Sequence, residues 1–154
     1  IATLTDAFYI GGTKNGALLG EAIVFPRPRP DDAFLYQIKQ RGAMLAKGRV
    51  LGIQFATLFR DGLYFRLAAH ANRMAADLAT AISFCGYSFL YPPQTNQIFP
   101  ILPNDLIERL KTEFDFYVWQ AVSSDSSAIR LVTSWATPSE NVAAFAEYLS
   151  TSHI

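Results

Sequence analysis

Cysteine is nearly missing from this 154-residue chain, where Cys85 stands alone. An intrachain disulfide is therefore excluded, and a reducing, cytoplasmic setting is the expectation. A surplus of either charge is missing too. Thirteen basic and thirteen acidic side chains cancel and the pI is near 6.9, which argues against a nucleic-acid or anionic-membrane surface. No apolar run approaches the ~20 residues of a membrane span, and no metal site is expected. The start Ile1-Ala2-Thr3-Leu4-Thr5 lacks a methionine, a basic opening and a long apolar centre, so no signal peptide is expected. With an apolar strand opening at about residue 6, this leads to the expectation of a piece of a longer protein.

What the chain does have is apolar residues, 51% of the total, enough to fill a real core. One stretch stands out: Asp6-Ala7-Phe8-Tyr9-Ile10-Gly11-Gly12-Thr13-Lys14-Asn15-Gly16. An apolar run reading as a buried strand ends in a glycine-rich turn that holds one lysine. A second apolar run, Glu21 to Phe25, follows. Such a turn presents an amine at a sheet edge, and an amine there could form a Schiff base with a carbonyl. Gly11, Gly12 and Gly16 would tolerate positive φ and let backbone approach a flat ring, and a largely dry pocket would favour the neutral amine. Lys-Asn-Gly is also good turn chemistry, so a plain hairpin lysine is the alternative. Asp6 reads as a strand-start residue. Pro26-Arg27-Pro28-Arg29-Pro30 forbids helix and sheet pairing and reads as a loop with solvated arginines.

Asp31 or Asp32 can cap the next helix. Apolar spacing then predicts two long helices, over 33–60 and 62–83, broken at Asp61-Gly62. The first is apolar or small on nearly every side from Val50 to Leu58, which suggests burial against more than one neighbour. Leu63, Leu67, Ala71, Met74, Leu78 and Ile82 give the second a stripe. After Pro92-Pro93 a compact β–α–β–β–α pattern follows. Its strands are Thr95–Ile101, Phe116–Val122 and Ala128–Trp135, with a solvated loop at Ser123–Ser127. Its helices are Pro103–Glu113 and one through Leu149, with Thr137 as cap and Pro138 in its first turn. The chain thus divides at 1–30, 31–91 and 92–154.

Gly11-Gly12-Thr13-Lys14-Asn15-Gly16 with Gly20-Glu21-Ala22 resembles the cofactor-lysine segment of the threonine aldolase and β-eliminating lyase family. The resemblance runs on through Leu45-Ala46-Lys47-Gly48-Arg49, His70-Ala71-Asn72-Arg73-Met74, Gln94-Thr95-Asn96 and Ile129-Arg130-Leu131-Val132-Thr133-Ser134-Trp135. It implies an α/β class: the C-terminal part of an aspartate aminotransferase-like fold. That part would hold two end strands of the large-domain sheet, two long connecting helices and a small α+β domain. It further implies a pyridoxal-phosphate-dependent lyase that cleaves β-hydroxy-α-amino acids such as threonine to glycine and an aldehyde.

In that family the earlier half of the chain supplies the ring-nitrogen acid, the stacking residue and most phosphate ligands, so this segment in isolation is expected to be inactive. Lys14 would be the catalytic, cofactor-bearing lysine, with Gly12 and Thr13 beside the cofactor. Lys47 would add positive charge near its phosphate; Lys39 and Arg49, on the same predicted helix, could do so instead. The family places an arginine for the substrate carboxylate in the corresponding strand, so the resemblance implies that role for Arg130, whose planar guanidinium suits bidentate capture; strand alternation sets Arg130, Val132 and Ser134 opposite Ile129, Leu131 and Thr133. His70 reads as a hydrogen-bonded packing residue, not as the base. A homo-oligomer, dimer or tetramer, is the expected state of the full-length protein. A β-eliminating lyase of aromatic or sulfur amino acids, and a non-catalytic assembly module, are the two alternatives.

Overall fold

The computed structural model describes residues 1–27 and 33–151. Pro28-Arg29-Pro30 and the capping candidates Asp31 and Asp32 lie outside the described residues. By their contacts the residues divide into two compact units, Ile1–Phe65 and Arg66–Ile154. The predicted 31–91 segment therefore contributes to both.

In the first unit β1 (Phe8–Gly11) pairs antiparallel with β2 (Glu21–Val24), Phe8 opposite Val24 and Gly11 opposite Glu21. The strand expected to be buried is not. Alternate residues are half-buried, while Tyr9 and Ile23 stay 71% and 64% exposed. A two-stranded ribbon has one covered face at most, so period-2 alternation wins over the all-apolar composition.

The predicted helix over 33–60 is two helices, α1 (Ala33–Gln40) and α2 (Arg49–Phe59). Gly42 ends α1 at φ 68°, with Gly42 N–H donating to the Lys39 carbonyl and Ala43 N–H to that of Ile38. That crossed pair is a Schellman stop, which the left-handed freedom of glycine allows. Only Leu58 of α2 is buried, and Val50 and Ile53 are exposed. The burial expected on several sides of Val50–Leu58 is thus not found within this unit. A single 3-10 turn, Arg60–Gly62, follows, with Asp61 and Gly62 both at positive φ. Here the predicted break is observed.

The second unit is built on α3 (Leu63–Phe84), whose Ala71, Met74, Ala75, Leu78, Ala79 and Ile82 are buried. The predicted stripe is this face from Ala71 onward, while Leu63 and Leu67 are only half-buried. It meets a sheet centred on β6 (Ser126–Val132), which pairs antiparallel with β3 (Gln97–Ile98), β4 (Ile101–Pro103) and β5 (Tyr117–Ala121). The predicted strand 95–101 is split because Pro100 has no N–H to give to the ladder. Its carbonyl still accepts from the Ile129 N–H, and the pairing offset is the same on both sides, Ile98 opposite Leu131 and Ile101 opposite Ala128.

Helix α4 (Asn104–Leu110) and helix α5 (Ser139–Thr151) complete the core, bringing Leu106, Ile107, Leu110, Val142, Phe145 and Leu149 to Ile98, Leu102, Ile129 and Leu131. Burial raises the pKa of the Tyr87 phenol, which packs against this cluster, and Cys85 adds to the shift.

Three local expectations change. The serine loop is shorter than predicted, because Ser126 and Ser127 already belong to β6. Ser127 is buried and donates to Asn104 Oδ1 at 2.8 Å. Strand β6 ends at Val132 and not at Trp135. Thr137 does not cap forward into α5; its Oγ1 accepts from the Ser134 N–H at 2.8 Å and closes the preceding turn.

Candidate functional site

The lysine loop, residues 12–20, joins β1 to β2 and is far longer than a two-residue hairpin turn. The Gly12 carbonyl accepts from both Asn15 N–H and Ala17 N–H at 3.0 Å, and Gly12 N–H donates to the Gly20 carbonyl at 3.3 Å. Two neighbouring elements then hold it. Gln54 of α2 accepts from Leu18 N–H at 2.7 Å and Leu19 N–H at 3.4 Å, while its own amide nitrogen donates to the Val50 carbonyl at 2.9 Å. Tyr64, in the first turn of α3, donates its hydroxyl to the Gly11 carbonyl at 3.0 Å and accepts from the Asn15 side chain through its own carbonyl at 2.8 Å. Phe55, Phe59 and Tyr64 stack in a row behind these contacts, with ring centroids 6.4 and 5.1 Å apart. Fixed backbone is what an anchoring lysine needs, since placement and not flexibility makes an amine reactive.

The glycines divide the work differently from the expectation. Only Gly16 among Gly11, Gly12 and Gly16 has positive φ, at 101°. Gly12 is instead a matter of space: a Cβ there would stand 2.8 Å from Ala17 Cβ, 2.9 Å from Phe55 Cζ and 3.1 Å from the Gly20 carbonyl oxygen. Gly12→Ala is expected to cost about 1–3 kcal/mol through overpacking, whereas Gly11→Ala, with nothing within 4 Å, stays near neutral. Thermal melts of the two variants check this; equal stability of both would contradict it.

Lys14 and Thr13 are exposed on this loop, and among the described residues neither side chain has a hydrogen-bond or ion-pair partner. The dry surroundings expected for the amine are not supplied by the described residues. Lys47 is exposed in the turn before α2, not on a long helix, and no hydrogen bond or ion pair ties it to the loop. Lys39 lies in the last turn of α1 and Arg49 opens α2. Asp6 is exposed and reaches Arg27 at 3.5 Å, an exposed pair of small energetic weight.

In the second unit Arg130 sits at the middle of β6, on the face away from Ile129, Leu131 and Thr133, which are buried as strand alternation predicts. Its guanidinium carbon lies 5.5 Å from the Tyr117 ring centroid and 5.9 Å from that of Trp119. Its Nε is buried and has no hydrogen-bond partner. Asp115, Phe116, Tyr117, Arg130 and Val132 line a pocket of about 550 Å³. The Arg130 side chain borders this pocket, and a planar guanidinium there is suited to an anion such as a carboxylate.

His70 is half-buried in the same unit. Its Nε2 is 2.8 Å from the Thr137 carbonyl, and its Nδ1 is 3.1 Å from Arg73. The carbonyl must accept and the guanidinium must donate, so the ring carries its proton on Nε2. Both nitrogens are engaged, as expected of a packing histidine. Among the described residues there is no cluster of three or more side chains that could hold a metal.

Nothing in the local spacing marks Gln54, Tyr64, Tyr117 or Trp119 as supports of the site. Each acts through a partner distant in the chain, and no local spacing encodes that.

No family model matches the chain. Its sequence is similar to low specificity L-threonine aldolases of two Pseudomonas strains. That of Pseudomonas sp. (strain NCIMB 10558) is 32% identical and that of Pseudomonas aeruginosa 34%, each over 139 residues, 89% of this chain. The chain spans 39% of the length of these relatives. Its fold is similar to a solved threonine aldolase of Leishmania major, with a TM-score of 0.89 at 42% identity, over 99% of this chain and 45% of that one. In sequence and in fold, over nearly every residue, this chain is similar to a C-terminal part of threonine aldolases.

Proposed function

We propose that this segment carries the cofactor lysine and the substrate-carboxylate arginine of a pyridoxal-phosphate-dependent aldolase. Its substrates would be β-hydroxy-α-amino acids such as threonine, cleaved to glycine and an aldehyde. The observation that carries this reading is Lys14 on a glycine loop clamped from two elements, within a chain similar to L-threonine aldolases.

The residues present fit the cofactor. The Lys14 amine is exposed and unpaired among the described residues, and the exposed Thr13 hydroxyl stands next to it on the same clamped loop. Bound to Lys14, the cofactor supplies the electron sink for bond cleavage at Cα. The chain's own residues do the rest of the work described here. Gly12 would keep the lysine loop closely packed, Gly16 would supply its left-handed turn, Thr13 would offer a hydroxyl donor to the phosphate, and Lys47 would add positive charge. Arg130 takes the α-carboxylate in two parallel N–H···O bonds, which fixes how the Cα substituents are presented. Cleavage also needs a base for the β-hydroxyl proton. His70 is committed to Thr137 and Arg73, so that group comes from residues other than His70, and we expect the segment by itself to be inactive.

Reduction with borohydride in the presence of pyridoxal phosphate, on a polypeptide of the relatives' full length, tests Lys14 directly. Peptide mapping should place the label there; label on another lysine ends the assignment. Glycine plus an aldehyde from threonine supports aldolase chemistry, whereas pyruvate and ammonia from a β-substituted alanine would point to β-elimination. Arg130→Lys keeps the charge but loses the planar fork. It should raise KM for threonine about 10- to 100-fold, the worth of a charge-assisted hydrogen bond, and steady-state kinetics read this out.

A further inference from the structure

We propose that Tyr117 and Trp119 of β5 are positioning residues that hold the Arg130 guanidinium in its carboxylate-binding orientation. This deepens the reading of Arg130 given above and rests on it.

Strand β5 carries a bulge beside Arg130. Tyr117 faces Arg130 and Val118 faces Ile129, but the next pair is Gln120 with Ala128, so Trp119 is an extra residue in the ladder. A regular strand would set Trp119 directly opposite Ala128. Tyr117 and Trp119 share the strand face of Arg130, and both rings lie within 6 Å of its guanidinium. Both rings are partly exposed, Tyr117 at 71% and Trp119 at 47%, so hydrophobic burial does not account for their placement. Trp119 is itself set by an edge contact with Phe99, whose ring packs edge-on against Tyr91.

The chemistry follows from what Arg130 lacks. An arginine has several rotatable bonds, and Nε of this one is buried with no hydrogen bond to fix its last torsions. Aromatic faces attract a guanidinium and let it stack without consuming its N–H donors. The two rings can therefore restrain the fork while its N–H groups stay available to a carboxylate. A carboxylate partner would restrain it too, but would cancel the charge that the substrate needs. Asp115 lines the same pocket, yet forms no ion pair with Arg130.

The test uses the full-length protein with cofactor, and threonine as the probe. Trp119→Leu and Tyr117→Leu should each raise KM about three- to tenfold, with kcat within about twofold. Trp119→Phe should restore most of the loss, since it keeps an aromatic face. Isothermal titration with glycine, which carries the same carboxylate, should show the same weakening without turnover. Combined with Arg130→Lys, the leucine variants should add little, because the group they position is gone. Unchanged KM in both leucine variants, while Arg130→Lys raises it, overturns the positioning role and leaves Arg130 in place. A loss of kcat with a lowered melting temperature, not rescued by phenylalanine, assigns the rings a purely structural part and also overturns it. If Arg130→Lys itself leaves KM unchanged, the carboxylate reading fails and this inference fails with it.

Discussion

Lys14→Ala, in a polypeptide of the relatives' full length, is expected to reduce threonine cleavage by on the order of 10³-fold or more. An alanine offers no nitrogen to carry the cofactor, and an arginine would do no better because its guanidinium stays protonated. What makes this a sharp expectation is how little Lys14 does for the fold. Its side chain is exposed and unpaired among the described residues, and the loop is held by Gly12, Asn15, Gln54 and Tyr64. Stability should therefore stay within about 0.5 kcal/mol of the parent. Glycine formation and a thermal melt on the same preparation give both numbers. Activity within tenfold of the parent would remove Lys14 from the chemistry.

Leu110→Ala should produce the largest loss of stability. Leu110 ends α4 with no exposed surface, in the cluster where α3, α4, α5 and the β6 sheet meet. Neighbours from several elements cannot all collapse into the space that its removal leaves. The cost is about 2–5 kcal/mol, which for a unit of this size is a fall in melting temperature of roughly 10–25 °C. Val132→Ala, on the exposed face of β6, should shift it by only a degree or two. Urea or thermal denaturation followed by circular dichroism checks both. Near-equal midpoints would mean that the core is not where the fold draws its stability.

Much of the second unit could be read from spacing alone. The stripe from Ala71 to Ile82 and the alternation around Arg130 are local periodicities, and both appear where expected. The 33–60 helix failed because apolar residues at Leu45, Leu51 and Phe55 carried the pattern past Gly42. One left-handed glycine was enough to stop the helix, a conformational choice that hydrophobic spacing does not record. The lysine loop was legible as a loop but not as a clamped one. Its fastenings reach 35–53 residues along the chain, to Gln54 and Tyr64. The bulge at Trp119 was invisible for the same kind of reason, since register belongs to a pair of strands and not to either sequence.

The ribbon of β1 and β2 has a practical consequence. Both of its outer rims carry backbone groups that no third strand satisfies among the described residues, and Tyr9 and Ile23 add greasy side chains to the same strip. Such rims template the addition of further strands. Produced by itself, the segment should tend to self-associate into insoluble material, starting from this ribbon and not from the well-packed second unit.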